Sequence, residues 1–544
     1  MRLDEVKNSV GIYKQMRGIL LLIMLIAPTL LAAQKGTYLI SFTDKLSSPF
    51  SITQPNEFLS EKALQRRAKQ GIEIDESDLP VNSSYIDGLK RQGAEILYTS
   101  KWLNAAVIKS EQSALADILA LPFVTITNLS SGTLSPQSDD EEFVPATDYG
   151  RSFRQLSILD IDLMHTVGFR GEGIDIAVFD GGFMGADTIP AFQHLNILSV
   201  YDFVGRDHEI FAHSDHGTLV LSTLASQFPN QLIGSAYNAN YHLLRTENSS
   251  TEERLEEFCW LVAAEYADSA GVDIINSSVS YSDFASPIDS YEQSQMDGKT
   301  TLVTQAANWA FSKGMFIVAS VGNEGQNGDL PSIGAPADSP SVLAVGSIRF
   351  DGLISPFSSQ GPSADGRIKP DVVALGNGTV VSRSNGSVST ANGTSYSAPL
   401  VTGLVAGIWQ ALPQLSNAEL LELIRKSASD YDRPDNIYGY GIPSFEYFLN
   451  NYNLLDEAYF EGVQFGLYPN PFSNKFTLYS DKFLPEEHVR LTLFGLSGKV
   501  VVEMNNEWEN FQSSFQIKNL QNGLYIGKFS TSKHQVVFKI RKLN

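Results

Sequence analysis

Residues 174–179 read IDIAVF and run directly into Asp180–Gly181–Gly182. The run is dominated by β-branched and aromatic side chains and stops at glycines. Such a continuous apolar run is the signature of a strand buried on both faces, not of one that alternates between core and water. The signature returns in YHLLR (241–245), VDIIN (272–276), MFIVAS (315–320) and VLAVGSI (342–348), with helical patterns between. One of these helices reads as starting at Ser250, with Glu253 three residues on as a capping box, and stopping at Gly271. Buried strands separated by helices predict an α/β domain over 147–450, built on a doubly wound, mostly parallel sheet covered on both faces.

The flanks have a different character. Residues 34–140 read as a small α+β domain. It comprises a strand TYLISF (37–42), a charged helical stretch containing Arg66–Arg67, a strand at Ala105–Ile108 and a helix at Glu111–Leu119. It ends in SSGTLSPQSDDEEFVPATDYG (130–150), whose Ser, Pro and acidic content reads as an exposed linker, with Asp139–Glu142 solvated. Residues 463–544 carry ten Lys/Arg against six Asp/Glu. They break into short runs, FTLY (476–479), VRLTLF (489–494), KVVV (499–502), LYIGKF (524–529) and VVFKI (536–540), which read as a β-sandwich. At the other end ILLLIMLIAPTLLAA (19–33) follows Lys7, Lys14 and Arg17 and finishes in small residues. That is the pattern of a signal peptide spanning 1–33, with Met16 as a second candidate start; the run is short for a bilayer span. No other segment is as apolar over such a length, so no membrane span is expected in the mature form.

Composition narrows the function. The 544 residues carry a net charge of −22, which disfavours an extended nucleic-acid interface. A single cysteine, Cys259, precludes an intramolecular disulfide and sits in a helical apolar run as a small hydrophobe.

Polar residues stand where a doubly wound sheet collects its chemistry, beyond the carboxyl ends of the strands. Asp180 ends the first run, Asn276 ends VDIIN, and MFIVAS leads into Val321–Gly322–Asn323–Glu324–Gly325. Two helix starts add to these. HSDHGTLVLSTLAS places His216 and Gly217 at the head of one helix; NGTSYSAPLVTGLVAGIW places Ser395 at the head of another, with Pro399 expected in its first turn. A helix N-terminus favours developing negative charge. Ser395 can attack a carbonyl, His216 can carry the proton, Asp180 can orient the imidazole, and the Asn323 amide with the Ser395 N–H can receive the oxyanion.

These segments, IAVFDGGF, HGTLV, SVGNEG and GTSYSAP, together with FSSQGPSADGRIKPDVVALG (357–376), resemble the subtilisin-like serine peptidases, the subtilases. The order Asp, His, Ser, with Asn between the last two, is that of the family. The resemblance implies a secreted serine endopeptidase acting through an acyl-enzyme, with protein or peptide substrates. It also implies a substrate-lining segment Ser278–Val279–Ser280, and makes 34–140 a propeptide. Gly181 stands where the family has Ser or Thr, Ser280 where it has Gly, and Leu375 where it has Pro. Tail features YPNPF (468–472), GLYIGKF (523–529) and FKIRKLN (538–544) resemble the type IX secretion sorting domain. They imply the secretion machinery as a partner and export across both membranes to the exterior or the cell surface. The chemistry requires no cofactor; structural calcium is admitted by the resemblance, without an assigned site. His213, three residues before His216, lacks the further partners of a zinc site. The rival expectation is a catalytically weak subtilase-like binding protein or adhesin.

Overall fold

A computed structural model describes residues 35–126 and 149–542, apart from residues at 47, 250–252, 287–288, 327–330, 453–457, 461–462, 481–487, 496–497, 509–510 and 532–534. The signal peptide, the acidic linker and the residue proposed to start the 250–270 helix lie outside the described residues. The chain forms two compact units, one containing residues up to 53 and 75–129, the other 54–74 and 130–544.

The larger unit is built on seven strands: β1 (Asp175–Asp180), β2 (Asn196–Asp202), β3 (Asn240–Arg245), β4 (Ile274–Ser277), β5 (Phe316–Ser320), β6 (Val342–Ile348) and β7 (Val372–Leu375). Their order across the sheet is β7-β6-β5-β4-β1-β3-β2, and every pairing is parallel. The five runs read from sequence all fall on these strands. All six residues of β1 are buried, and they face two different layers. Ile176 and Val178 enter a core shared with helices α1 (Ile161–Thr166), α2 (His216–Ala225) and α5 (Thr394–Ala411). On the opposite face Phe179 meets Trp260 edge-on at 5.3 Å, under α3 (Arg254–Ala270) and its neighbour α4 (Leu302–Ser312). Burial on both faces is why the strand carries no polar alternation.

Two local readings need correction. Helix α3 begins at Arg254, with Glu253 as its N-cap and no side-chain cap bond, so the capping box expected from Ser250 and Glu253 does not start it. It does stop at Gly271, in the left-handed region at φ +95°. Pro399 lies one turn deeper in α5 than expected, as the sixth helical residue.

The connectivity switches direction at β1. After β1 the chain adds β2 and β3 on one side, then crosses to add β4, β5, β6 and β7 on the other. The crevice at such a switch opens beyond the carboxyl ends of β1 and β4, the edge that carries Asp180 and Ser278.

The smaller unit is an antiparallel sheet of Glu95–Ser100, Ala105–Glu111, Lys35–Phe42 and Val124–Ile126, in that order. Helices Ser83–Arg91 and Gln112–Leu119 accompany the sheet, and Ile40, Phe42, Leu89, Ala106, Ile108 and Ile118 form its core. The C-terminal part consists of two four-stranded antiparallel sheets around Phe476, Leu491, Phe515, Phe529 and Phe538. Strands Ala458–Phe460, Val463–Tyr468 and Gln512–Gln516 complete them and were not apparent in the sequence.

Candidate functional site

The residues singled out from sequence, Asp180, His216, Ser278, Val279, Ser280, Asn323 and Ser395, all line one cleft of about 470 Å³ at the carboxyl edge of the sheet. Three strands and two helix starts converge there.

Asp180 is fully buried at the end of β1. Its Oδ1 accepts the Gly181 N–H at 2.7 Å, so the backbone of Gly181 orients the carboxylate without a neighbouring hydroxyl. Both carboxylate oxygens face His216 Nδ1, at 2.9 and 3.0 Å. That approach needs Gly217: a Cβ there would stand 2.4 Å from the Gly182 carbonyl oxygen and 2.9 Å from Asp180 Cβ. Burial on its own would depress the His216 imidazole. The Asp180 carboxylate and its hydrogen bond, helped by Glu247 and Asp215, outweigh this and lift the group to about 9. With Nδ1 on Asp180, Nε2 is the nitrogen left to the cleft.

Ser395 is the second residue of α5, where a backbone N–H has no partner four residues back. Gly393 caps that helix at φ +152°. The Ser395 hydroxyl donates to the Ser278 carbonyl at 3.2 Å, and the Ser278 hydroxyl donates to the Ser395 carbonyl at 3.0 Å. The second bond follows from Pro399. Proline has no N–H, so the carbonyl four residues earlier, that of Ser395, loses its helical donor and is open to Ser278. Ser278 is held in turn by Asn276, whose amide donates to its Oγ at 3.1 Å while accepting from Thr402 at 2.8 Å. The resting hydroxyl therefore donates to Ser278, and reaching the imidazole requires it to give up that bond.

Asn323 follows β5. Its Oδ1 accepts from the Thr394 N–H at 2.9 Å and the Thr394 hydroxyl at 3.0 Å. With the oxygen fixed, the Nδ2 end becomes the donor beside Gly393, whose ideal Cβ would lie 3.8 Å from it. Two N–H donors, one from the side chain and one from the helix start, then lie in the same cleft as the serine. Along the wall, Ser280 Oγ stands where a Cβ on Gly334 would be, 1.9 Å away, so the extra side chain at 280 is matched by a bare backbone opposite.

The sequence reading missed several residues of the cleft: Asp215, Glu247, Glu324, Arg383 and Tyr396. Tyr396 places its ring 5.9 Å from the His216 ring, tilted by 46°. Burial holds its phenol well above the usual range. Of these, Tyr396 inside GTSYSAP, Glu324 beside Asn323 in SVGNEG and Asp215 beside His216 carried a local signal; Glu247 and Arg383 carried none. His213 turns away from His216 toward Asp202, at 3.4 Å, and Cys259 is buried. Among the described residues no three His, Cys, Asp or Glu side chains converge as a metal-ligand set. No helix among the described residues is long and apolar enough to cross a membrane.

Residues 171–441 match the subtilase family, peptidase S8. The chain belongs to the subtilase family. Residues 37–142 of this subtilase match the peptidase S8 propeptide domain of Bacteroidota, and residues 466–542 match the secretion system C-terminal sorting domain. Subtilisin E of Bacillus subtilis is 26% identical over 360 residues, covering 65% of this chain and 83% of that protein. Subtilisin of Bacillus pumilus is 28% identical, over 53% of this chain and 94% of that one. The crystal structure of the epidermin leader peptide processing serine protease of Staphylococcus aureus superposes with a TM-score of 0.51. At 16% identity it covers 75% of this chain and 97% of that one, which establishes the shared fold. The subtilase is a subtilisin-family serine peptidase with a propeptide, and its sorting domain implies export to the exterior or the cell surface.

Proposed function

We propose that the subtilase cleaves peptide bonds within protein chains through an acyl-enzyme on Ser395, with His216 as general base and then acid and Asp180 as its orienting carboxylate. The observation that carries this reading is the Asp180–His216 pair at 2.9 Å, opening its free nitrogen onto the cleft that holds Ser395. Once substrate fills the cleft, the Ser395 hydroxyl swings from the Ser278 carbonyl toward Nε2 and adds to the scissile carbonyl. The proton passes to the imidazole. The oxyanion is received by the Asn323 amide and the Ser395 N–H, preorganised by the Thr394 contacts. Return of the proton to the leaving amine releases the first product, and water repeats the sequence to free Ser395. Base, nucleophile and donors all belong to this chain, so the scheme calls on no cofactor. Ser278–Val279–Ser280 is assigned as one wall of the substrate site. The signal peptide at 1–33 and the propeptide make the protein an exported precursor, with structural calcium left as an addition outside the triad.

The test is a fluorophosphonate serine reagent on the matured protein, followed by casein hydrolysis. Labelling confined to Ser395, with loss of hydrolysis, is the expected result. A reactive cleft labelled elsewhere, or casein cleavage that survives complete labelling, would refute the assignment.

A further inference from the structure

The helix Glu61–Gln70 belongs by sequence to the segment matched as a propeptide, yet its contacts are those of the larger unit. Its position is the amino edge of the sheet, the end opposite the cleft. Lys62 bridges Asp175, the first residue of β1, and Asp273, just before β4, at 2.8 Å each. Arg66 donates to the carbonyls of Asp268, Val272 and Lys313, at 3.2, 2.6 and 3.2 Å. These lie where α3 and α4 end, and helix ends of this kind favour a cation. Arg66 and Arg67 both reach the Asp268 carboxylate, at 2.6 Å and at 2.8 and 2.9 Å. The three side chains are almost wholly inaccessible: Arg66 5%, Arg67 1%, Asp268 0%. Gln70 donates to Gly314 O at 2.8 Å and accepts from Asn417 N at 3.1 Å, while Ser60 N donates to Ser269 O at 2.9 Å. The backbone approach is equally close: a Cβ on Gly271 would lie 2.7 Å from Lys62 Cβ.

The Arg66, Arg67 and Asp268 contacts are as buried as the core of the catalytic body itself, with Lys62 and Gln70 part-buried at their margin. On either side, by contrast, the chain is open: Ser51–Gln54 are exposed, as are Gly71, Glu73, Asp75 and Glu76. We propose that residues 54–74 are a permanent staple of the catalytic body. When the rest of the propeptide is removed they stay behind, as a separate peptide bound at the amino edge. Release of the flanks needs ordinary hydrolysis of one peptide bond on each side, each consuming one water and leaving a carboxylate and an ammonium. What holds the staple afterwards is recognition of a helix presenting Lys62, Arg66 and Arg67 by Asp175, Asp268, Asp273 and the carbonyl ends of α3 and α4.

The experiment uses the full chain carrying Ser395→Ala, nicked with an added broad-specificity protease, so its outcome is separable from the triad assignment. The digest is passed through gel filtration and the protein peak analysed by denaturing mass spectrometry. A peptide within residues 51–77 co-eluting one-to-one with the catalytic chain, after 35–50 and 78–126 have gone, is the expected result. A folded catalytic chain eluting without it overturns the proposal. Arg66→Lys with Arg67→Lys keeps both charges but removes the fork on Asp268, and should reduce the retained fraction at least tenfold on washing; undiminished retention counts against the recognition described. On the unnicked chain, amides of 64–70 should exchange hydrogen as slowly as those of β4. Exchange as fast as that of the exposed flanks contradicts the staple irrespective of how any variant folds.

Discussion

The two edges of the seven-stranded sheet are made from the same strands and opposite electrostatics. Helices in this architecture run back against the strands, so they begin at the carboxyl edge and end at the amino edge. At the carboxyl edge the heads of α2 and α5 carry His216 and Ser395, and a buried anion there is Asp180. At the amino edge the tails of α3 and α4 present carbonyls, and the groups that settle there are the cations Lys62 and Arg66. One edge leaves its donors open to a cleft; the other is filled by a helix from a distant part of the chain. The difference teaches that a single helix alignment can provide a site for developing negative charge at one end and a docking site for positive charge at the other.

The largest effects belong to the open edge. Ser395→Ala should lower kcat by about five to six orders of magnitude, read on a fluorogenic peptide, with the thermal midpoint nearly unchanged. Retention of more than a thousandth of the activity would break the assignment of that edge. The same edge sets the pH response. A general base must be neutral, and His216 is lifted to about 9. Activity at pH 6 should therefore fall about 10²–10³-fold below its plateau, and the plateau should be reached only above about pH 9. Because the folded-state value is raised, protonated His216 stabilises the fold fully below its ordinary 6.5, and that contribution is lost as the pH climbs through about 9. Glu247→Gln removes one of the charges that raise it, so the limb should move to lower pH; a limb that stays put would remove Glu247 from the account. Asn323→Ala should lower kcat by about 10²–10³ with KM little altered, because its donor is needed only when the oxyanion forms.

How far the sequence reaches follows the same division. Strands β1 and β3 to β6, the heads of α2 and α5, and the four polar residues of the open edge were legible, because each is announced by neighbours in sequence: an apolar run, a glycine, a turn. Glu247 and Arg383 were not, since loops bring them to the cleft from separate parts of the chain. The filled edge was the least legible. Arg66–Arg67 reads locally as part of a charged helical stretch, and the residue that pairs with both, Asp268, lies about two hundred positions away. A long-range ion pair leaves no periodic trace. The start of α3 was misread for a related reason: Ser250 and Glu253 have the spacing of a capping box, but the helix is set by its packing under β1 and begins at Arg254.

The filled edge predicts a change in stability without a change in chemistry. Arg67→Leu leaves Asp268 with Arg66 but removes two of its charge-assisted bonds in a site closed to water. A loss of about 3–5 kcal/mol, measured by urea unfolding of the precursor, is expected. The kcat of the molecules that remain folded should be unaltered, because about 15–20 Å of strand separates the two edges. A large fall in kcat at unchanged stability would mean that the edges are coupled and would dissolve the comparison.

The smallest expected effect lies where the open edge departs from regular helix. Pro399 removes the donor that Ser395 O would have had, and the Ser278 hydroxyl takes its place at 3.0 Å. Pro399→Ala restores an N–H at that position and sets it in competition with Ser278 for one carbonyl. A regular α5 should gain about 1–3 kcal/mol of stability from the completed helical bond. The nucleophile, no longer tied to the Ser278 segment by its backbone, should lose a few-fold in kcat, with KM raised because the same segment forms the proposed substrate wall. A thermal-melt and steady-state comparison of the two proteins separates the outcomes. Higher stability with slower turnover means that the irregularity in α5 serves the site, whereas a variant that is both more stable and equally fast would show that Ser278 positions nothing that α5 could not position alone.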